Sequence, residues 1–162
     1  MSTVGLRHQV QASYHQVFLT PHGHSPILDP RQPGRLLAID PAGPAVIVLT
    51  GCAQGPVHLT IHSTDQPPTA LAESMAGWDI GEEDDIYIAG ELYALSPLAD
   101  LPDGAVFTPA APGLHRIRVL ARGRAAQYDF VVDQPTEEYG VTIWPTTTPA
   151  ERTHVGDDGL TF

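Results

Sequence analysis

Eight histidines, one cysteine and nineteen carboxylates are the side chains through which this 162-residue chain could do chemistry. His22 and His24, separated by Gly23, could offer two imidazoles to one metal ion. They would need a third ligand from another strand, as small β-barrels of the cupin kind supply it. His58 and His62 fall on one face of an expected strand, where a rise of roughly 3.3 Å per residue sets them about 13 Å apart, too far to share a zinc ion. His154 lies close to Asp157 and Asp158. No suitably spaced Glu follows His22-Gly23-His24, and no later His in a matching strand completes the set, so neither a metal nor another cofactor is expected. Cys52 sits directly behind an apolar run and reads as a small buried hydrophobe. With no second cysteine there is no disulfide and no Cys-x-x-Cys pair.

Two charge clusters stand out. Glu82-Glu83-Asp84-Asp85 is the densest, and its oxygens do not alternate around a central glycine as a calcium-binding EF-hand loop demands. It reads as a solvated turn between Ile80 and Ile86, or as a negative patch that meets a basic partner. Four of the eight arginines, Arg116, Arg118, Arg122 and Arg124, fall within nine residues. On the outer face of a strand, Arg116 and Arg118 could neutralise nearby carboxylates, mask an edge, or bind an anion or acidic partner. Glu82, Glu83, Asp84, Asp85, Arg116 and Arg118 are therefore the expected partner-binding residues. No Gly-x-Ser-x-Gly elbow, phosphate-cradling loop or dinucleotide fingerprint occurs, so no catalytic residue is expected.

A formal net charge of −11, with 19 Asp plus Glu against 8 Arg and no lysine, argues against general nucleic-acid binding, which needs a basic surface to meet phosphates. The absence of lysine and asparagine reads as codon bias in a GC-rich genome, a statement about source rather than mechanism. The first residues lack the apolar stretch of a signal peptide, and the longest apolar run, Ala45 to Leu49, is too short to span a bilayer. A cytoplasmic protein with no membrane contact is expected.

Fifteen glycines and sixteen prolines, spread along the chain, cut it into short segments that favour strands. Alternation from Val10 predicts one strand reaching Leu19, and Arg35 to Ile39 a short one. Ala45 to Leu49, apolar throughout, predicts a central strand covered on both faces. Val57, Leu59 and Ile61 face inward in the next, with His58, Thr60 and His62 outside. A helical turn is plausible between Thr69 and Met75. Further strands are expected at Ile86 to Leu95 with a bulge at Gly90, at Leu114 to Ala121, from Tyr128 to Val132, and from Tyr139 to Trp144, with a short edge at Val106 and Phe107. Together these predict an all-β, single-domain antiparallel β-sandwich of about eight strands spanning residues 1–145, followed by a surface tail over 146–162. Its core should contain Tyr14, Phe18, Ile47, Leu59, Ile61, Ile117, Val119, Phe130 and Ile143.

The stretch Ser13-Tyr14-His15-Gln16-Val17-Phe18 resembles the opening of the competence protein J family, small bacterial inhibitors of a DNA-entry nuclease. The closing stretch from Glu138 to Pro145, after Gly113 to Val119, resembles small β-rich proteins of GC-rich bacteria that end with a strand and a Trp-Pro pair. The resemblance implies a small acidic protein that binds another protein and does no chemistry. The expected function is thus a non-catalytic, immunity- or nuclease-inhibitor-like binding module whose acidic surface docks on a protein partner such as a basic nuclease or toxin. The alternatives are a metal- or small-ligand-binding barrel using His22 and His24, or a structural domain of a larger assembly.

Overall fold

A computed structural model describes residues 5–28, 35–99 and 106–160. It is all-β: eleven strands and one short 3-10 turn, Leu71–Ser74, make up the described regular structure. The strands are β1 Arg7–Ser13, β2 Gln16–Thr20, β3 Leu37–Ile39, β4 Val46–Leu49, β5 Gln54–Ser63, β6 Ile80–Ile88, β7 Leu92–Leu95, β8 Val106–Phe107, β9 Gly113–Arg122, β10 Glu138–Pro145 and β11 Thr153–Gly156. Hydrogen bonding connects them into a single sheet in the order β11-β6-β9-β10-β5-β1-β2-β4-β3, with β7 on β2 and β8 on β7.

The sheet curls. β1 and β2 are paired only through Ser13 and Gln16, at the turn that joins them, so the sheet folds over at that corner and encloses the core between two arms. Inward positions alternate along the long strands as the period of a pleated strand requires. They include Val57 and Leu59 on β5, Ile117, Val119 and Ala121 on β9, and Tyr139, Val141 and Ile143 on β10, all at most 2% exposed. β4 is covered on both faces as its composition implies, with Val46 and Val48 in the main core and Ile47 and Leu49 in a second cluster with Phe18 and Ala38. It is nevertheless next to the end of the sheet rather than central.

The eight-stranded antiparallel sandwich is corrected in two respects. One continuous curled sheet of eleven strands replaces two separate sheets, and β10 lies parallel to β5, Tyr139 beside Leu59 and Val141 beside Ile61. The expected strand from Val10 to Leu19 is broken by a two-residue hairpin turn at Tyr14 and His15, and the Ile86 to Leu95 strand is divided into β6 and β7 with Gly90 between them. Within the expected tail, the described residues 146–160 are not all surface: β11 pairs antiparallel with β6, and Leu160 is buried. Tyr14 and Phe130, expected in the core, are 67% and 62% exposed. The first sits in the hairpin turn, and the second lies in a loop that replaces the strand expected from Tyr128 to Val132.

Candidate functional site

Glu82 to Asp85 form part of β6, not a turn, and strand alternation sends the four carboxylates to two faces. Glu83 and Asp85 point outward across from Arg118 and Arg116 on β9. The Glu83 carboxylate bridges the two guanidinium groups at 3.1 and 2.6 Å, and Asp85 meets Arg116 at 2.8 Å. The same arginines bind the covering segments: Arg118 donates to the Thr69 carbonyl at 2.7 Å and lies over the Trp144 ring, while Arg116 donates to the Glu151 carbonyl at 2.7 Å. Glu82 and Asp84 take the inner face. There Arg152 reaches both carboxylates, and Glu82 also accepts from the amides of Leu36 and Leu37 at 2.7 and 2.8 Å and bonds His154 Nδ1. This carboxylate joins β6 to the chain leading into β3 and closes the seam of the curl. Of the six expected partner-binding residues, Glu83, Asp85, Arg116 and Arg118 meet one another on the outer face, while Glu82 and Asp84 pair with Arg152 on the inner one; Glu82, Glu83, Arg116 and Arg118 are each less than a tenth exposed. Their charge is spent inside the fold.

The histidine pairs behave differently from a metal centre. His24 Nε2 bonds the buried Asp40 at 2.7 Å, and His22 packs edge-on against Tyr93. His58 contacts Arg7, and His62 Nδ1 accepts from the Gly5 amide. Among the described residues no group of three or more His, Cys, Asp or Glu is arranged to hold a metal ion.

At the end of the sheet where β1 passes into β2, several unusual features converge. Tyr14, His15 and Asp129 are the non-glycine residues with positive φ among those described, at 54°, 61° and 65°. A side chain in this left-handed region costs of order 1 to 2 kcal/mol, and such strain gathers at functional positions. Two-residue hairpins with both central φ values positive normally carry Asn-Gly or Asp-Gly. Tyr-His there is held by tertiary bonds instead: the His15 amide donates to the Ala53 carbonyl at 3.1 Å, the Thr50 amide donates to the His15 carbonyl at 2.8 Å, and the His15 ring joins the Thr50 carbonyl to Asp129 at 3.0 and 2.9 Å. Tyr128 lies against the His15 ring with centroids 5.7 Å apart. Tyr14, Phe130 and Val131 expose most of their surface and Tyr128 about a third, an apolar surface with Asp129 and Asp133 exposed beside it.

Behind this surface the support is rigid. The Asp129 amide donates to the Gly51 carbonyl and the Ala53 amide to the Phe130 carbonyl, both at 2.9 Å. The opposite side of the same loop is held by Glu137, which accepts from the amides of Gly51 and Cys52 at 2.8 and 2.7 Å and from the Tyr139 hydroxyl. Arg124, fully buried, is bidentate to Asp158 and donates to the carbonyls of Leu49 and Arg35. Gly51 is required here, because a Cβ would lie 2.0 Å from the Arg124 carbonyl oxygen.

Cys52 is wholly buried in this layer. Burial first, and the Glu137 carboxylate second, push its thiol up to about 12. Since the thiolate is the reactive form, Ellman's reagent should label Cys52 at pH 8 no faster than the protein unfolds, and labelling should become immediate in denaturing urea. Rapid labelling of the folded protein would contradict this packing.

Residue type and spacing concealed this surface, because Tyr14 and Phe130 occupy inward positions in an uninterrupted alternation and neither loop carries a turn dipeptide. No helix among the described residues is long and apolar enough to cross a membrane. No family model and no curated protein matches the chain. Among solved structures it is similar to one described as Crocagin biosynthetic gene J, with a TM-score of 0.55 and 20% identity, over 91% of this chain and 99% of that one. At this identity the likeness shows the fold alone.

Proposed function

We propose that the protein is a non-catalytic binding module, of the immunity or inhibitor type, that docks a basic protein partner such as a nuclease or toxin through the surface formed by Tyr14, Tyr128, Phe130 and Val131. The observation that carries this reading is the coincidence of the three strained non-glycine residues with exposed aromatic side chains. Exposed aromatics on a preorganised backbone are the usual anchors of protein interfaces, and the strained turn, fixed from behind by the bonds of His15, holds one of them in water. Electrostatics supports a basic partner. Seven of the nineteen carboxylates, Asp40, Glu82, Glu83, Asp84, Asp85, Glu137 and Asp158, and four of the eight arginines, Arg116, Arg118, Arg124 and Arg152, are committed to internal pairs. Twelve carboxylates remain against four arginines. Asp129 and Asp133 stand exposed beside the aromatic cluster, and no arginine occurs from 125 to 134. The resemblance of Ser13 to Phe18 to the competence protein J family points to the same class, and those residues include the strained turn.

The test is a pull-down from the source cell at low and high salt, followed by titration of the captured, purified protein against wild type, Tyr14→Gly and Phe130→Ser. A salt-sensitive partner is expected whose affinity falls at least tenfold with either variant. Tyr14→Gly should meanwhile unfold at an equal or higher urea concentration, because glycine takes the positive φ without penalty. A partner indifferent to both variants, or none that responds to salt, would overturn the reading.

A further inference from the structure

A second site lies at the other end of the curled sheet, where β5 and β10 finish and β9 begins. A cavity of about 280 Å³ opens there, with walls formed by Phe107, Leu114, His115, Ile143 and Pro145, and with Ser63 to Asp65 along one side. His115 follows the inward parity of Ile117 and Val119 and is 3% exposed. Its Nδ1 donates to the Gly113 carbonyl at 2.8 Å, and Phe107 packs edge-on against its ring. With Nδ1 engaged by that carbonyl, Nε2 is the ring atom left for a ligand, and it meets no hydrogen-bond partner among the described residues. No fully buried side-chain nitrogen or oxygen among the described residues is left unpaired, so Nε2 is not a sealed orphan, and His115 is part of the cavity wall.

A buried imidazole fixed through one nitrogen is a directional group in the wall of a chamber that is apolar at Phe107, Leu114, Ile143 and Pro145 and polar at Ser63 to Asp65 and Thr146. Pockets that recognise small molecules are built in this way, with an apolar lining and few polar atoms, and they recur in the mouths of β-barrels. Known ligand pockets run from roughly 300 to 1,000 Å³, so this one has room for one small ring system and little more. We infer that the mouth binds a compact, uncharged aromatic molecule carrying one hydroxyl, the ring lying between Phe107 and Ile143 and the hydroxyl donating to Nε2 of His115. The site is independent of the docking surface proposed above, which lies at the opposite end of the sheet.

Phenol and toluene, nearly identical in shape, separate the hydrogen bond from the apolar contact. Titrating the full chain with each, followed by two-dimensional amide NMR, should give saturable shifts centred on Phe107, Leu114, His115 and Ile143. Phenol should bind roughly three- to tenfold more tightly than toluene, as expected for one hydrogen bond to a buried acceptor, and should move the His115 Nε2 resonance where toluene does not. His115→Phe should abolish the preference while toluene still binds. Ile143→Trp, which fills the chamber, should abolish binding of both, and the dispersion of each variant's spectrum reports whether it is folded. Shifts that never saturate or centre elsewhere, phenol binding no tighter than toluene, or a preference that survives His115→Phe would each overturn the inference.

Discussion

Replacing Glu82 with alanine is expected to destabilise the protein by about 3 to 5 kcal/mol, the cost of leaving buried polar and charged partners without their counterpart. The side chain is 2% exposed, yet its two oxygens serve the amides of Leu36 and Leu37, the guanidinium of Arg152 and the ring of His154. Alanine leaves all of these facing an apolar void and removes the tie between β6 and β3. Glu82→Gln keeps the shape but turns an NH₂ group toward donors, and it should recover less than half of the loss. Urea unfolding at pH 7 measures both, and a loss below about 1 kcal/mol for alanine would show that the seam holds by packing alone.

The same carboxylate predicts a pH dependence. Burial on its own raises its pKa, but the amide bonds from Leu37 and Leu36, the charge of Arg152 and the bond from His154 outweigh it and hold the pKa below the ordinary 4.5. A group whose folded pKa is depressed contributes stability that is fully present above its unfolded pKa and is lost as pH falls through the folded value. The gap between wild type and Glu82→Gln should therefore hold steady from neutral pH down to about pH 5 and narrow below 4.5. A gap that widens on acidification would contradict the assignment.

The second large effect is expected at Arg124. Arg124→Leu should cost about 3 to 5 kcal/mol, because it strands Asp158, whose side chain is 4% exposed, together with the carbonyls of Leu49 and Arg35. The double variant Arg124→Leu with Asp158→Leu should regain part of that loss, since an uncompensated buried charge costs more than its removal. A double-variant loss equal to the sum of the losses of Arg124→Leu and Asp158→Leu alone would show that the pair contributes no coupling. The residues after Pro145 share in this: truncation before Asp158 should mimic Arg124→Leu, an outcome foreign to a surface tail.

Much of the fold follows from local pattern. β5 is legible because Val57, Leu59 and Ile61 alternate with polar residues, β9 because Ile117, Val119 and Ala121 recur at every second position, and β4 because nothing polar interrupts it. The failures have a common origin in tertiary bonds that override local signals. Tyr14 and His15 continue the alternation of β1 into β2, and only the partners at Thr50, Ala53 and Asp129 make a turn of them. Glu82 to Asp85 look like solvent-facing charge because their arginines lie more than thirty residues away, on β9 and before β11. Asp129 interrupts the alternation of Tyr128, Phe130 and Val132 with a backbone conformation that nothing in its neighbours announces. The docking surface was hidden for the same reason, since its parts are assembled from two loops more than a hundred residues apart in the chain.

The parallel contact between β5 and β10 bears on the order in which the chain can fold. On the ribosome β5 is made early, and its free edge must wait until Glu138 to Pro145 emerge to sit beside it. Chains dominated by such distant pairings fold in milliseconds to seconds rather than microseconds, and a waiting apolar strand is a template for another chain. His58 and His62 on the outer face, and Pro56 near its start, keep that waiting edge from reading as a plain hydrophobic strip. Expression at lower temperature, which slows synthesis and weakens apolar association together, should raise the soluble yield.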